Sequence, residues 1–152
     1  MERVHQLSAT ECLGLLASAR FGHVSITRDG LPVILPVAFG LSASTIRLCT
    51  HDLALVRAAN SGGTVVAFEV DHLEPEAAAG WSVLVRGILR TVRSDNHRDV
   101  APPSLSGHDH DPADDRVLSI EPILVTGRSL GQEVRAQRAR GGTIAPPEAQ
   151  GR

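Results

Sequence analysis

Six segments of this chain have the apolar patterning of β-strands, and they greatly outnumber its helical segments. Apolar and polar residues alternate in residues 21–27, 45–50 and 81–93, which is typical of a strand with one buried face. Short turn signals such as Asp29-Gly30 separate neighbouring segments and predict hairpins. The chain is therefore expected to be mainly β, as a small antiparallel barrel. The six predicted strands are residues 21–27, 31–39, 45–50, 64–70, 81–93 and 116–128.

Two helices are predicted beside the strands. Ser8 and Glu11 have the spacing of a capping box at the start of an N-terminal helix. Cys12 lies on the apolar face of that helix, so it is expected to be a core residue and not a reactive thiol. Asp52 is a candidate N-cap for a short helix at 53–60, after the third strand.

Several residues predict irregular strands. Pro32 and Pro36 cannot donate to a ladder, so the second strand needs a bulge or an unpaired edge there. Gly87 suggests a barrel bend or the close approach of another group. Glu121-Pro122 predicts a break in the last strand. Residues 71–80 are expected to be a polar connection with one helical turn at 74–79.

Length and composition exclude several classes of protein. A chain of 152 residues favours one domain, expected at 1–130 and followed by a mobile tail at 131–152. The net charge of -2 and only four aromatic residues argue against nucleic-acid binding. No apolar run is long enough to span a membrane, and the start lacks a signal-peptide pattern. Two cysteines form neither a disulfide framework nor a zinc site, so a reduced cytoplasmic protein is expected.

One candidate anion site lies where the third strand meets the short helix. Thr50, His51 and the free N–H groups of the helix start could together bind a phosphate. An ordinary strand-to-helix turn accounts for the same residues. Asp52 would repel a phosphate unless its carboxylate turns back as the cap.

Other constellations are weaker. The segment His108-Asp109-His110-Asp111 has metal-ligand chemistry, but neighbouring residues of an extended chain point to opposite sides. No metal site is predicted, and no hydrolase or dinucleotide motif is present. His23 and Ser25 share a strand face without an assigned acidic partner, so no catalytic side chain is predicted. Trp81 is either a core anchor or a residue lining a ligand pocket or dimer contact.

The order of several short motifs resembles a known family. The matching pieces are Glu11-Cys12-Leu13-Gly14-Leu15-Leu16-Ala17, Phe21-Gly22-His23-Val24, Gly30-Leu31-Pro32-Val33, Val66-Ala67-Phe68-Glu69-Val70-Asp71, Gly80-Trp81-Ser82-Val83-Leu84-Val85 and Val125-Thr126-Gly127-Arg128. Over roughly residues 6–130 they are similar to the pyridoxamine phosphate oxidase-like, flavin-binding split-barrel superfamily, in its short actinobacterial form.

The resemblance implies a six-stranded antiparallel split β-barrel with an N-terminal helix and a short helix after strand three. It also implies a homodimer with FMN in a groove at the interface, and hydride transfer between that flavin and a small-molecule substrate. The residues that it implies around the cofactor are Leu35, Pro36, Val37, Ala38, Phe39, Thr50, His51, Leu55, Trp81, Ser82 and Val83.

Three of these positions depart from the family pattern. Leu35, Ala38 and Leu55 stand where relatives usually carry arginine, asparagine and a phosphate-binding lysine. A charge-assisted hydrogen bond to phosphate contributes about 1.5–3 kcal/mol, so their loss would weaken FMN binding. The alternative hypothesis is therefore a repurposed barrel without tight FMN binding, which takes a deazaflavin, a haem or an apolar ligand, or serves only as an interaction module.

Overall fold

The computed structural model describes residues 4–92 and 116–131, which contain seven strands and two helices. A single 3-10 turn at Pro75–Ala77 joins the fifth and sixth strands. The two helices are α1 (Ala9–Ser18) and α2 (Leu53–Asn60). The strands are β1 (Val4–Leu7), β2 (Phe21–Arg28), β3 (Leu31–Ser42), β4 (Thr45–Thr50), β5 (Thr64–Glu74), β6 (Ala79–Thr91) and β7 (Arg116–Leu130).

Six of these strands form an antiparallel ring. Going round it, β7 pairs with β4, β4 with β3, β3 with β2, β2 with β5, and β5 with β6. Pairing of β6 with β7 completes the ring. The expected split barrel with two attached helices is thus confirmed. The sequence did not predict β1, a four-residue strand that pairs with the end of β7 through its backbone and has mostly exposed side chains.

Local sequence signals account for the turns and helix starts. Asp29 and Gly30 both have positive φ, at 51° and 79°, as an Asp-Gly hairpin turn requires. Ser8 and Glu11 form the predicted capping box of α1. Cys12 is buried on the inner face of that helix, as predicted.

The second strand of the prediction does have an unpaired edge. β3 pairs with β2 from Leu31 onward, but it pairs with β4 only from Ala38 onward. Among the described strands, residues 31–37 therefore have a neighbour on one side only, and Pro32 and Pro36 lie in this stretch. The missing N–H groups of the two prolines leave the barrel ladder intact.

Two predictions about strand limits are wrong. β7 runs through Glu121-Pro122 without a break, and the ladder with β6 instead shifts register between Arg86 and Gly87, next to Pro122. A side chain at Gly87 would collide with the carbonyl oxygen of Glu121, so this glycine permits close approach. Residues 71–80 are not a loop, because β5 and β6 continue as a paired ladder to Glu74 and Ala79. Backbone pairing in a hairpin tolerates polar side chains.

The barrel interior holds one hydrophobic core. Phe39 and Phe68 pack edge to face at its centre, with ring centroids 4.9 Å apart. α2 contributes Leu55 and Ala59 to this core, and α1 contributes Cys12 and Leu16. The helix predicted after the third strand is therefore held to the barrel by its apolar side.

Candidate functional site

The start of α2 is where the sequence predicted a phosphate site. Oδ1 of Asp52 accepts hydrogen bonds from the backbone N–H groups of Ala54, at 2.8 Å, and Leu55, at 3.1 Å. The N–H of Asp52 donates to Oγ1 of Thr50 at 3.0 Å. The carboxylate therefore turns back as the cap. It uses two of the N–H groups that a phosphate would need, and it places a negative charge at the positive end of the helix.

Several of the predicted cofactor residues face the core. Leu55 is fully buried in the core, and Val37, Phe39 and Val83 belong to the same core. Ala38 is also buried, but it lies on the other side of β3. Leu55 occupies the position of the lysine in relatives, so that position points into the barrel. A terminal phosphate therefore does not fit the residues at the start of α2, which offer neither a cation nor these two N–H groups.

The remaining predicted residues reach the surface in different places. Pro36 and His51 are exposed, whereas Leu35, Trp81 and Ser82 are half-buried. Leu35 lies beside Val24 and packs against the core, so it faces inward. Trp81 also packs against the core, and its ring lies 6.3 Å from that of His72. The structure thus gives Trp81 an anchoring contact and leaves part of its ring accessible.

The strand register separates the predicted site into two groups. Thr50 pairs with Arg116 at the start of β7, whereas Trp81 pairs with Ser129 near its end. The thirteen steps between those two β7 residues correspond to about 40 Å along an extended strand. The Thr50 group and the Trp81 group therefore lie at opposite ends of β7.

One outer row of the barrel is apolar apart from one serine and one cation. Arg86 lies between Ala67 on β5 and Leu124 on β7. Ser25 and then Ile34 continue the row across β2 and β3. Ile34 is 67% exposed and Leu124 is 44% exposed. We call this surface, together with the neighbouring row Pro36, His23, Glu69, Leu84 and Thr126, the outer face.

Arg86 and Glu69 are the two opposite charges on the outer face. They lie on neighbouring strands and diagonal to each other, because Glu69 is opposite Leu84 and Arg86 is opposite Ala67. Within residues 4–92 and 116–131, neither side chain forms a hydrogen bond or an ion pair. The surroundings of Arg86 depend on pairing between five strands, which no local pattern reveals.

A groove of about 680 Å³ lies between α2 and the end of β2. Arg28 and Arg57 lie on its two sides, and Asp52 lines it near the helix start. The side chain of Arg28 is 3.8 Å from the carboxylate of Asp29. The carboxylate of Asp52 lines the groove, whereas that of Asp29 lies outside its lining.

The described part of the chain offers little for metal or thiol chemistry. No group of three or more metal-ligating side chains occurs in it, and residues 108–111 lie outside it. Burial is the main cause that raises the pKa of the Cys12 thiol, and the charge of Glu11 raises it further, which disfavours the reactive thiolate.

Residues 132–152, most of the predicted tail, also lie outside the described residues. None of the described helices could cross a membrane.

Comparison with known proteins identifies relatives of the whole barrel. The family model described as pyridoxamine 5'-phosphate oxidase matches residues 8–129. The Mycobacterium tuberculosis protein Rv0080 is 38% identical over 128 residues, which cover 82% of this chain and 84% of that protein.

Two solved structures from Mycobacterium smegmatis have the same fold. A FAD-binding protein is 32% identical, with a TM-score of 0.62, and the match covers 84% of this chain and 98% of the other. A FAD- and haem-binding protein is 18% identical, with a TM-score of 0.60, and covers 93% and 94% of the two chains. The second likeness shows the fold alone.

Proposed function

Because the chain belongs to the pyridoxamine 5'-phosphate oxidase family, we propose that it is a homodimeric flavin-binding oxidoreductase. A bound flavin would supply hydride transfer, and the protein would bind and orient both cofactor and small-molecule substrate. The observation that carries the proposal is the 32% identity to a FAD-binding protein, in a match that covers 84% of this chain and 98% of that protein. We propose FMN or FAD as the cofactor. We propose the cytoplasm as the location, since Cys12 and Cys49 are buried and form no disulfide.

The homodimer is supported by the outer face and by the separation of the predicted residues. Exposed apolar residues in one row across the sheet, such as Ile34 and Leu124, are typical of a surface that another chain covers. A two-fold axis brings different parts of two identical chains together. A second copy could therefore supply the Trp81 group to the Thr50 group of the first, with the flavin between them.

The proposal is tested with the fluorescence of Trp81, the only tryptophan of the chain. Purified protein is titrated with FMN, FAD and riboflavin while tryptophan emission and binding heat are recorded. We expect saturable binding of at least one flavin, with quenching of Trp81, and reduction of the bound flavin by a nicotinamide donor. The Trp81→Phe variant controls for emission that does not come from this residue.

Absence of saturable binding for all three flavins would refute the proposal. Binding without quenching would support flavin binding but would show that Trp81 does not lie at the site. Binding of a flavin that neither NADH nor NADPH reduces would refute the proposed oxidoreductase activity.

A second candidate function is a split barrel that binds a ligand without a phosphate, such as haem. The observation in its favour is the closed start of α2, where Asp52 and Leu55 leave no phosphate ligand. The visible spectrum of the untreated protein separates the candidates, because a haem gives a Soret band that flavins and deazaflavins lack. A Soret band without flavin absorbance would favour this candidate over the first.

A further inference from the structure

The chain itself supplies hydrogen-bond acceptors for backbone N–H groups at the start of α2. Oδ1 of Asp52 accepts hydrogen bonds from the N–H groups of Ala54 and Leu55, and Oγ1 of Thr50 accepts one from the N–H of Asp52. The N–H of Val56 is bonded to the carbonyl oxygen of Asp52 at 3.1 Å, as in an ordinary first turn. A phosphate at this point would have to displace a carboxylate from two hydrogen bonds.

Nearby positive charge does not compensate for the carboxylate. Leu55, at the position of the usual lysine, is fully buried and cannot be replaced by a cation without disturbing the core. Arg28 and Arg57 line the adjacent groove, but Asp52 lines it too, and the guanidinium of Arg28 lies 3.8 Å from the carboxylate of Asp29. A phosphate monoester carries a charge of about −1.5 to −2 at neutral pH, so the carboxylate of Asp52 at the helix start would repel it.

We propose that Asp52 is a specificity-determining residue that disfavours flavins ending in a phosphate monoester. The ligands that suit the site are those without such a group, namely riboflavin or a dinucleotide whose phosphates are esterified on both sides. The inference rests on the proposed flavin binding and specifies which flavins that site accepts.

Relative affinities for FMN and riboflavin test this role of Asp52. The wild-type protein is expected to bind the two within about threefold of each other. The Asp52→Asn variant keeps a capping oxygen but loses the charge, and asparagine is an equally good N-cap. It is expected to bind FMN about tenfold tighter or more, because the variant removes the repulsion between the carboxylate and the phosphate dianion. Its affinity for riboflavin should stay unchanged.

A second variant separates the charge from the occupied N–H groups. Asp52→Gly also frees the N–H groups of Ala54 and Leu55, and glycine is tolerated at an N-cap. Its preference for FMN over riboflavin should exceed that of Asp52→Asn. Glu76→Gln makes the same chemical change at an exposed carboxyl of the 3-10 turn, which does not line the groove, and should leave the preference unchanged.

Two results would overturn the inference: FMN binding more than tenfold tighter than riboflavin binding in the wild type, or an unchanged preference in Asp52→Asn. Absence of binding for every flavin would refute the proposed function instead. In that case the role of Asp52 is still tested by adding inorganic phosphate to the protein and following the backbone amide resonances by NMR. The amides of Ala54 and Leu55 should respond saturably in Asp52→Gly and not in the wild type, and the reverse would contradict the inference.

Discussion

Glu11 shows how a single exposed residue can link stability to pH. Its Oε2 accepts hydrogen bonds from Oγ of Ser8 at 2.7 Å and from the N–H of Ser8 at 2.8 Å. These two bonds hold the pKa of Glu11 below its usual range. A lowered pKa in the folded state means that the charged form contributes stability above the unfolded pKa, and that this contribution is lost as the pH falls through the folded pKa.

The variant Glu11→Gln is predicted to lower the free energy of unfolding at pH 7, because a neutral amide accepts weaker hydrogen bonds. The difference from the wild type should shrink between pH 5 and pH 3, where the wild-type carboxyl becomes protonated. Denaturant unfolding at several pH values measures this. Glu76→Gln, an exposed carboxyl in the 3-10 turn, is the control. A difference that stays constant across the pH range would contradict the assignment.

The helix α2 joins the candidate site to the core. Its two leucines near the start have opposite surroundings, because Leu55 is 0% exposed and Leu53 is 65% exposed. Asp52 fixes where the helix begins, and Leu55 fixes how it is rotated against the barrel. The geometry of the Thr50–Asp52 turn therefore depends on packing one helical turn away.

Alanine variants of the two leucines compare the stability that the buried side chain and the exposed side chain contribute. Leu55→Ala is predicted to lower the free energy of unfolding by about 2–5 kcal/mol, as a large-to-small change in a core does. Leu53→Ala should change it by no more than about 0.5 kcal/mol. Urea unfolding measures both, and similar losses for the two variants would contradict the observed rotation of α2. Leu55→Lys, which introduces the residue of relatives, should unfold the protein and not strengthen FMN binding.

On the scale of the whole molecule, the outer face carries one positive and one negative charge, Arg86 and Glu69, that have no partner among residues 4–92 and 116–131. Covering these charges with a second copy would be costly unless each met an opposite partner. In a two-fold interface, a contact from Arg86 to Glu69 of the partner subunit is repeated in the other direction. The outer face is therefore self-complementary in charge as well as apolar in part.

Charge reversal tests this interface. Arg86→Glu and Glu69→Arg are each predicted to weaken the dimer by tenfold or more, about 1.4 kcal/mol, and the double variant should restore it. Sedimentation equilibrium measures the dimer dissociation constant. Arg90→Glu on the same strand is the control, because its guanidinium lies 3.5 Å from Glu121 of its own chain. If neither single reversal changed dimerisation, the outer face would not be the interface.

Predictions from sequence succeeded where the deciding contacts are local. The capping box at Ser8, the Asp29-Gly30 turn and the cap at Asp52 each involve partners within three residues. Strand segments were also predicted well from their apolar alternation. Strand ends were not: β5 and β6 extend through polar residues to Glu74 and Ala79, because a paired neighbour satisfies the backbone whatever the side chains are.

The candidate site could be predicted only in part. The sequence indicated the Thr50–Asp52 turn and left open whether Asp52 faces a ligand or caps its own helix. It did not show that Leu55 points into the core, or that Thr50 and Trp81 lie at opposite ends of β7. These facts depend on which strands pair and in what register.

The sequence by itself determined the β-rich fold class, the positions of both helices and the departure from the family at Leu35, Ala38 and Leu55. These follow from periodicity, capping and residue identity, which act over a few positions along the chain. The tertiary structure alone decided that Leu55 points into the core, and that Arg86 and Glu69 share one outer face. Both depend on groups brought together by strand pairing and helix rotation, whose energies arise from contacts far apart in sequence.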